Sequence, residues 1–236
     1  MQKITNEVIS KSLLRNEEER IIIAAQDQAL RTNWFKKHIE HKNINETCRL
    51  CKNKVETVNH ILSGCEILQQ RGTYTKRHNA VCQLIHFKLC KKYNIPLQTE
   101  KHWNHRPELT EENDQVLITY DFEIPTDITP RCRPDIIVKD KVTGTTQIIE
   151  IGISADYRIA SYEREKLLKY QQLKYEIRRL WNTEPKIIPI IIGATGAYKK
   201  TTIEYIEEIG ANIKPQDIQM ETIKKSVEIL RFHLGV

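Results

Sequence analysis

Long apolar runs are missing from this chain of 236 residues. No run exceeds about six residues, whereas a membrane-spanning helix needs roughly 20. The first residues form no hydrophobic targeting segment, and neither an internal repeat nor a low-complexity tract is present. The segment Gly193-Ala194-Thr195-Gly196 lacks the lysine and the spacing of a phosphate-binding loop, so we interpret it as a strand-to-helix turn. The absence of long apolar runs and of a targeting segment predicts an intracellular protein with no membrane association, and we expect its cysteines to be reduced.

Three of the six cysteines and one of the eight histidines follow a metal-binding pattern. Cys48, Cys51, His60 and Cys65 have the spacing C-x2-C-x8-H-x4-C, which lets one zinc ion close a small loop tetrahedrally. Four protein ligands leave no open position, so this zinc would be structural. The alternative is that the four residues are simply small buried side chains. We predict a CCHC zinc knuckle over residues 44–68.

Positive charge is concentrated directly after the predicted knuckle, although the whole chain carries only +6. Residues 71–106 contain eight basic residues against the single acid Glu100. We interpret this segment as a nucleic-acid-binding surface, with aromatic and histidine side chains such as Tyr74, His86 and Trp103 available for stacking. The alternative is a solvated helix face followed by a polar linker. The predicted nucleic-acid-binding residues are Lys76, Arg77, His78, Lys88, Lys91 and Lys92.

Another pattern on the same predicted helix repeats every four residues. His78, Cys82, His86 and Cys90 could supply neighbouring ligands for half of a second metal site. A core-facing stripe explains them more simply, because a helix drifts away from strict four-residue spacing. We therefore favour the core interpretation.

A predicted hairpin brings two carboxylates together. The β-branched runs at 135–138 and 147–151 flank a turn-like stretch at 141–145, which is typical of antiparallel strands. If the turn is centred between Val142 and Thr143, Asp135 faces Glu150 on one face of the sheet. Two such carboxylates repel unless a cation lies between them, and hard oxygen ligands suit magnesium. A bulge at Gly144 would shift the register and separate the pair.

A helix predicted from Tyr157 to Trp181 supplies positive charge near these carboxylates. The stretch has no Gly or Pro and has an amphipathic pattern, which predicts one long helix. Lys166 and Lys169 lie one turn before its apolar stripe, so their ammonium groups could reach a phosphate or an attacking water. The alternative is ordinary solvated charges on an exposed helix. With Asp135 and Glu150, the lysines form a candidate phosphodiester-cleaving site.

The order of predicted elements indicates an α/β protein. We predict a helical amino-terminal part (1–43), the knuckle (44–68), a basic helix (69–94) and a linker (95–114). A mixed β-sheet flanked by helices follows (115–212), and then a carboxy-terminal helix (213–236).

Several motifs in this order resemble one protein family. Taken together, they are similar to the carboxy-terminal end of non-LTR retrotransposon polyproteins that carry a restriction-like endonuclease, over about residues 20 to 212. The motifs are Cys48-Arg49-Leu50-Cys51 with His60 and Cys65, Tyr74-x-x-Arg77-His78-Asn79, Arg133-Pro134-Asp135-Ile136-Ile137-Val138, Ile149-Glu150-Ile151, Glu165-Lys166-x-x-Lys169-Tyr170 and Ile188-Pro189-Ile190-x-Ile192-Gly193-Ala194-x-Gly196.

The resemblance implies a PD-(D/E)xK endonuclease that nicks chromosomal DNA. It implies that Asp135 and Glu150 bind magnesium, that Lys166 and Lys169 are catalytic, and that Arg133 and Tyr170 support them. The sequence departs from common restriction enzymes because Gly152 stands where the strand lysine would be. The lysine function would then come from the helix. Glu150 also replaces an aspartate of some relatives.

The chain contains no polymerase-like Tyr-x-Asp-Asp motif, so it carries no reverse transcriptase. We expect either a fragment of an element or a stand-alone remnant. The expected partners are target DNA, retroelement RNA and a reverse transcriptase encoded elsewhere, and the expected compartment is the nucleus. Two alternatives stay open at this point: an inert, zinc-dependent nucleic-acid-binding remnant, and a protein-interaction module.

Overall fold

Helices occupy the amino-terminal half of the computed structural model, which describes residues 14–125 and 132–235. Threonine side chains cap two of them, since Thr32 accepts from Phe35 N and Thr57 from His60 N. Helical structure predicted for the first 43 residues is confirmed within α1 and α2, and residues 1–13 of that prediction lie outside the described residues. The helices are α1 (Asn16–Gln26), α2 (Asn33–His38), α3 (Val58–Ser63), α4 (Glu66–Gln70) and α5 (Thr73–Lys92).

The described residues form a five-stranded mixed sheet in the order β1-β2-β3-β4-β5. Adjacent strands from β1 to β4 are antiparallel to each other, and β5 is parallel to β4. The predicted α/β class with a mixed sheet and flanking helices is therefore confirmed. The strands are β1 (Thr110–Glu112), β2 (Val116–Tyr120), β3 (Ile136–Asp140), β4 (Thr145–Ser154) and β5 (Glu184–Gly193).

The hairpin between β3 and β4 has the predicted register. Ile136 faces Ile149 and Asp140 faces Thr145, which is the pairing expected for a turn centred between Val142 and Thr143. The Asp140 carboxylate closes the turn by accepting from the amides of Val142 (3.0 Å) and Thr143 (2.8 Å). Gly144 adopts a left-handed conformation (φ 67°) without shifting the register. The two carboxylate-bearing positions therefore stay on one face.

The long helix predicted from Tyr157 to Trp181 is wrong as a single element. A 3₁₀ turn (Asp156–Arg158) precedes α6 (Ile159–Lys169), and a second helix α7 (Gln171–Trp181) follows. The break falls at Tyr170, which has φ −99° and ψ 5° and is fully buried. Its hydroxyl group hydrogen-bonds to the carbonyl oxygen of Arg133 at 3.3 Å. This tertiary contact overrides the local helical preference.

Helices cover both faces of the sheet. On one face, α5, α8 (Lys200–Ile209) and the first turn of α9 (Pro215–Leu234) pack on residues such as Ile149 and Ile188. On the other face, Tyr170 and α7 pack on the alternate positions of the strands, including Ile148.

A separate apolar cluster joins the Cys/His segment to α1, α9 and Ala194. Two apolar cores thus join segments that the sequence analysis treats as separate domains. One core contains residues of both α5 and the sheet, and the other contains residues of both the Cys/His segment and α9. The domain boundaries themselves stay predictions. The strand β1, which lies inside the segment interpreted as a linker, was not predicted. Among the described residues, no helix is both long enough and apolar enough to cross a membrane.

Candidate functional site

Cys48, Cys51, His60 and Cys65 converge in a cluster that could hold a metal ion such as zinc. The Cys48 and Cys65 sulfurs are 3.9 Å apart, and the Cys51 sulfur is 3.4 Å from His60 Nε2. A tetrahedral zinc site requires ligand atoms separated by roughly 3.3 to 3.8 Å, given its bond lengths of about 2.0 to 2.3 Å. The predicted ligand set is therefore brought together at suitable distances.

Local backbone geometry prepares the cluster for a metal. A bridge pairs Thr47 with Val55, and the Cys48 amide donates to Lys54 O at 2.7 Å, so the first two cysteines lie on one tight loop. Burial lowers the pKa of His60, which keeps the imidazole neutral. Burial raises the pKa of Cys51, but hydrogen bonds from nearby backbone amides outweigh it and leave the pKa below its usual value. Burial raises the pKa of Cys48 to about 11, so zinc binding would release a proton from this thiol.

Glu56 connects the Cys/His segment to the carboxy-terminal helix α9. Its fully buried carboxylate accepts from the Arg49 guanidinium at 2.7 Å and from His233 Nε2 at 3.0 Å. Burial raises the pKa of Glu56, but His233 and Arg49 outweigh it and hold the pKa well below its usual range. The sequence analysis missed this residue because His233 lies 177 positions away and no local pattern marks the pair.

Asp135 and Glu150 meet at the end of the β3–β4 hairpin. The Asp135 amide lies 3.4 Å from Glu150 Oε2, and Asp135 Oδ2 accepts from the Ile151 amide at 2.7 Å. The side chain of Glu150 is 4% exposed and that of Asp135 is 16% exposed, so neither charge is fully solvated. Burial, followed by the Asp135 charge, raises the pKa of Glu150. The structure thus places two carboxylates side by side.

Helix α6 brings its lysines to the same carboxylates. Lys166 Nζ is 2.5 Å from Glu150 Oε1, whereas Lys169 Nζ is 4.0 Å from it and donates to the Tyr170 hydroxyl at 2.8 Å. Burial lowers the pKa of Lys166, but Glu150 outweighs it and raises the pKa above its usual value. Lys166 is therefore fully charged at neutral pH and is the closer of the two lysines.

The packing around Gly152 explains why the lysine beside Glu150 comes from a helix and not from the strand. A Cβ at residue 152 would lie 2.8 Å from the Tyr162 ring and 2.6 Å from Ile191 Cδ1, so a strand lysine has no room there. Lys166 lies one helical turn after Tyr162, with its ammonium 5.2 Å from the Tyr162 ring centroid. Tyr162 fills the space above Gly152, and Lys166 is consequently positioned over Glu150.

Arg133 does not bring its guanidinium to the carboxylates. The side chain binds Asp121, with 2.8 Å from Nη2 to Oδ2, and only the carbonyl oxygen of Arg133 reaches Tyr170. Arg133 therefore supports the site through its backbone.

His78 joins the carboxylate pair from helix α5, which the sequence analysis did not foresee. Its Nε2 is 3.2 Å from Asp135 Oδ2. Burial lowers the pKa of His78, but the Asp135 carboxylate outweighs it and raises the pKa to about 12. The motif Arg77-His78-Asn79 is the sequence signal for this contact, but it indicates the contact only together with the order of the strands.

The predicted nucleic-acid surface is partly contradicted by burial. Arg77 is 2% exposed and donates to Leu62 O and Ser226 Oγ, so its prediction as a nucleic-acid contact is wrong. His86 is fully buried and cannot stack on a base. Lys76, Lys91 and Lys92 are exposed and Lys88 is half-buried, and their binding role stays a prediction.

Comparisons with known proteins identify no family for this chain. No protein-family model matches it, and no curated protein matches its sequence. The fold and the sites define an α/β protein with a metal-competent Cys₃His cluster and a separate carboxylate–lysine cluster.

Proposed function

We propose that this chain is a retrotransposon-derived, magnesium-dependent DNA endonuclease of the PD-(D/E)xK type. The observation that carries the proposal is the convergence of Asp135, Glu150 and Lys166 from a strand end, a strand and a helix. These are the group types that phosphodiester hydrolysis requires, namely metal-binding carboxylates and a fixed cation. The raised pKa of Glu150 also supports the proposal, because perturbed carboxylates concentrate at functional sites.

The donor chemistry fits magnesium. Asp135, Glu150 and the carbonyl oxygen of Ile151 would be its protein ligands, since magnesium prefers oxygen ligands and keeps several waters. Magnesium bound there would lower the pKa of a coordinated water and neutralise charge on the phosphate.

The side chains of the protein would supply orientation and charge. Lys166 would orient the attacking water or stabilise the negative charge that develops on the phosphate oxygens. Lys169 would contribute more weakly, because its ammonium is 4.0 Å from Glu150 and is more exposed. Tyr170 would hold the end of α6 against the backbone of Arg133. His78 adds a third cationic group beside the carboxylates.

The structural zinc and the basic residues would serve nucleic-acid binding. We propose that the Cys₃His cluster holds zinc as a knuckle, and that Lys76, Lys91 and Lys92 contact the backbone of target DNA or retroelement RNA. A reverse transcriptase encoded elsewhere is the proposed protein partner, and the nucleus is the proposed compartment.

The second candidate is an inert nucleic-acid-binding remnant. It is favoured by the ion pair between Lys166 and Glu150, which neutralises the Glu150 charge without any metal. In this case, binding to DNA or RNA would survive substitution of Asp135, and no cleavage would be seen.

Nicking of supercoiled plasmid DNA separates the two candidates. We expect wild type to nick with magnesium and not with EDTA, and Asp135→Ala to bind DNA without nicking it. The matched control is Asp114→Ala, because Asp114 is an exposed carboxylate in the loop between β1 and β2. If no protein nicks while all retard DNA on a gel, the endonuclease proposal fails and the remnant takes its place.

A further inference from the structure

Helix α5 carries a second histidine–cysteine cluster, on the side of the sheet opposite α6. His86, Cys90 and His105 are all buried, and their ligand atoms lie within 4.8 Å of one another. His86 Nδ1 is 2.8 Å from His105 Nε2 and 3.5 Å from the Cys90 sulfur. The Glu111 carboxylate, from strand β1, is 2.9 Å from the same sulfur.

We propose that His86, Cys90, His105 and Glu111 form a second zinc site. Two imidazoles, one thiolate and one carboxylate are all common zinc ligands, and four of them complete a tetrahedron. The nitrogen–sulfur distance of 3.5 Å matches the edge of such a tetrahedron, roughly 3.3 to 3.8 Å. The two nitrogens, at 2.8 Å, and the Cys90 sulfur and Glu111 oxygen, at 2.9 Å, would each need to separate by about 0.5 Å to reach this range.

Three segments of the fold hold these four residues. His86 and Cys90 are one turn apart on α5, so their side chains lie on one face of the helix. His105 follows a 3₁₀ turn (His102–Asn104), and its carbonyl oxygen accepts from the Gln83 side chain at 3.0 Å. A cleft of about 640 Å³ lined by His105 and Glu111 gives a metal ion a way in.

Zinc binding would release the Cys90 thiol proton to solvent, because the thiolate is the form that binds the metal.

The site would have a defined role in the fold. It would fasten the segment 95–112 to α5, in addition to the hydrogen bond from Gln83 and the packing of His105 on Phe87. Strand β1 is the edge of the sheet and only three residues long, so a metal ligand within it would stabilise a weak edge.

Metal content of the full chain tests the proposal. After purification with zinc and dialysis, we expect two zinc equivalents per wild-type chain by atomic emission. Cys90→Ser and His105→Gln should each retain one equivalent. The matched control Cys132→Ser, which removes a buried thiol outside both clusters, should retain two.

Cobalt spectroscopy of the wild type provides a reading that needs no variant. The first site has three thiolates and the second has one, so the second cobalt equivalent should add far less thiolate-to-cobalt charge-transfer absorption than the first. The alternative is a metal-free cluster with a hydrogen bond between His86 and His105 and another donated by Cys90 to Glu111. One metal equivalent in wild type, unchanged in folded Cys90→Ser and lost in Cys51→Ser, would overturn the proposal in favour of this alternative.

Discussion

The Cys₃His cluster and the carboxylate–lysine cluster are built in opposite ways. The first draws its ligands from residues 48–65, one short loop and helix, and its thiolates and imidazole suit a soft-binding structural metal. The second draws Asp135, Glu150 and Lys166 from three elements, and it combines two carboxylates with a half-buried ammonium. The difference teaches that a ligand set from one short segment can be recognised in the sequence, whereas a cluster of half-buried and buried charges forms only when distant elements pack together.

Removal of a cysteine ligand should have the largest effect on stability. We expect Cys65→Ser to lose the zinc equivalent of the Cys₃His cluster and to expose residues 44–68 to protease. The apparent binding free energy of a structural zinc is on the order of 10 kcal/mol, so the loss exceeds what this segment can recover by packing. Zinc content and limited proteolysis measure the result. Unchanged zinc content and protease resistance would show that the cluster is ordinary core.

Substitution of Lys166 should impair the carboxylate–lysine cluster and leave the Cys₃His cluster intact. We expect Lys166→Ala to lower the nicking rate by about 10² to 10³-fold, as loss of a preorganised cation does. Lys169→Ala should cost less, because its ammonium lies farther from Glu150. Lys174→Ala, a change on the neighbouring helix, is the control. Equal decreases in the nicking rate of all three variants would mean that the lysines contribute only to the overall positive charge of the protein.

Replacement of Glu56 tests how far the Cys₃His cluster depends on α9. We expect Glu56→Gln to lower the free energy of unfolding by about 3 to 5 kcal/mol at pH 7, because it leaves Arg49 and the buried His233 without their carboxylate. Urea denaturation of the zinc-loaded protein measures this loss, with the exposed Glu66→Gln as control.

The pH dependence of this effect has a definite sign. The pKa of Glu56 is lower in the folded protein than its ordinary value of 4.5. The carboxylate therefore stabilises the fold fully above about pH 4.5, and its contribution is lost as the pH falls through the lower folded value. The difference between wild type and Glu56→Gln should shrink in acid. A difference that grows in acid would contradict the assignment.

The smallest expected effect on stability is that of adding a methyl group at Gly152, close to the carboxylates. We expect Gly152→Ala to destabilise the protein by about 1 to 3 kcal/mol, because the added methyl group would collide with the Tyr162 ring and Ile191. Gly64→Ala is the control, since its Cβ would make only ordinary contacts, the nearest at 3.6 Å. Thermal unfolding measures both. Equal shifts for the two variants would mean that Tyr162 does not pack tightly on Gly152.

The sequence predicted local features well and distant ones poorly. The Cys₃His ligands and the hairpin register were predictable because a short spacing or a tight turn determines them. The break at Tyr170 was not, because a hydrogen bond to Arg133, 37 positions away, decides it. The same holds for the burial of Arg77, whose partner Ser226 is 149 positions away. The contacts of His78 with Asp135 and of His86 with His105 likewise depend on how α5 packs.

The central claim is that Asp135 and Glu150 bind magnesium for cleavage, while the zinc of the Cys₃His cluster is structural and takes no part in the chemistry. The most direct measurement is the rate of plasmid nicking by zinc-loaded protein as magnesium is raised from zero, for wild type and Asp135→Ala with equal zinc content. We predict that wild type nicks only when magnesium is present and reaches a saturating rate, and that Asp135→Ala does not nick at any concentration. Nicking that is independent of magnesium, or equal in the two proteins, would contradict the account.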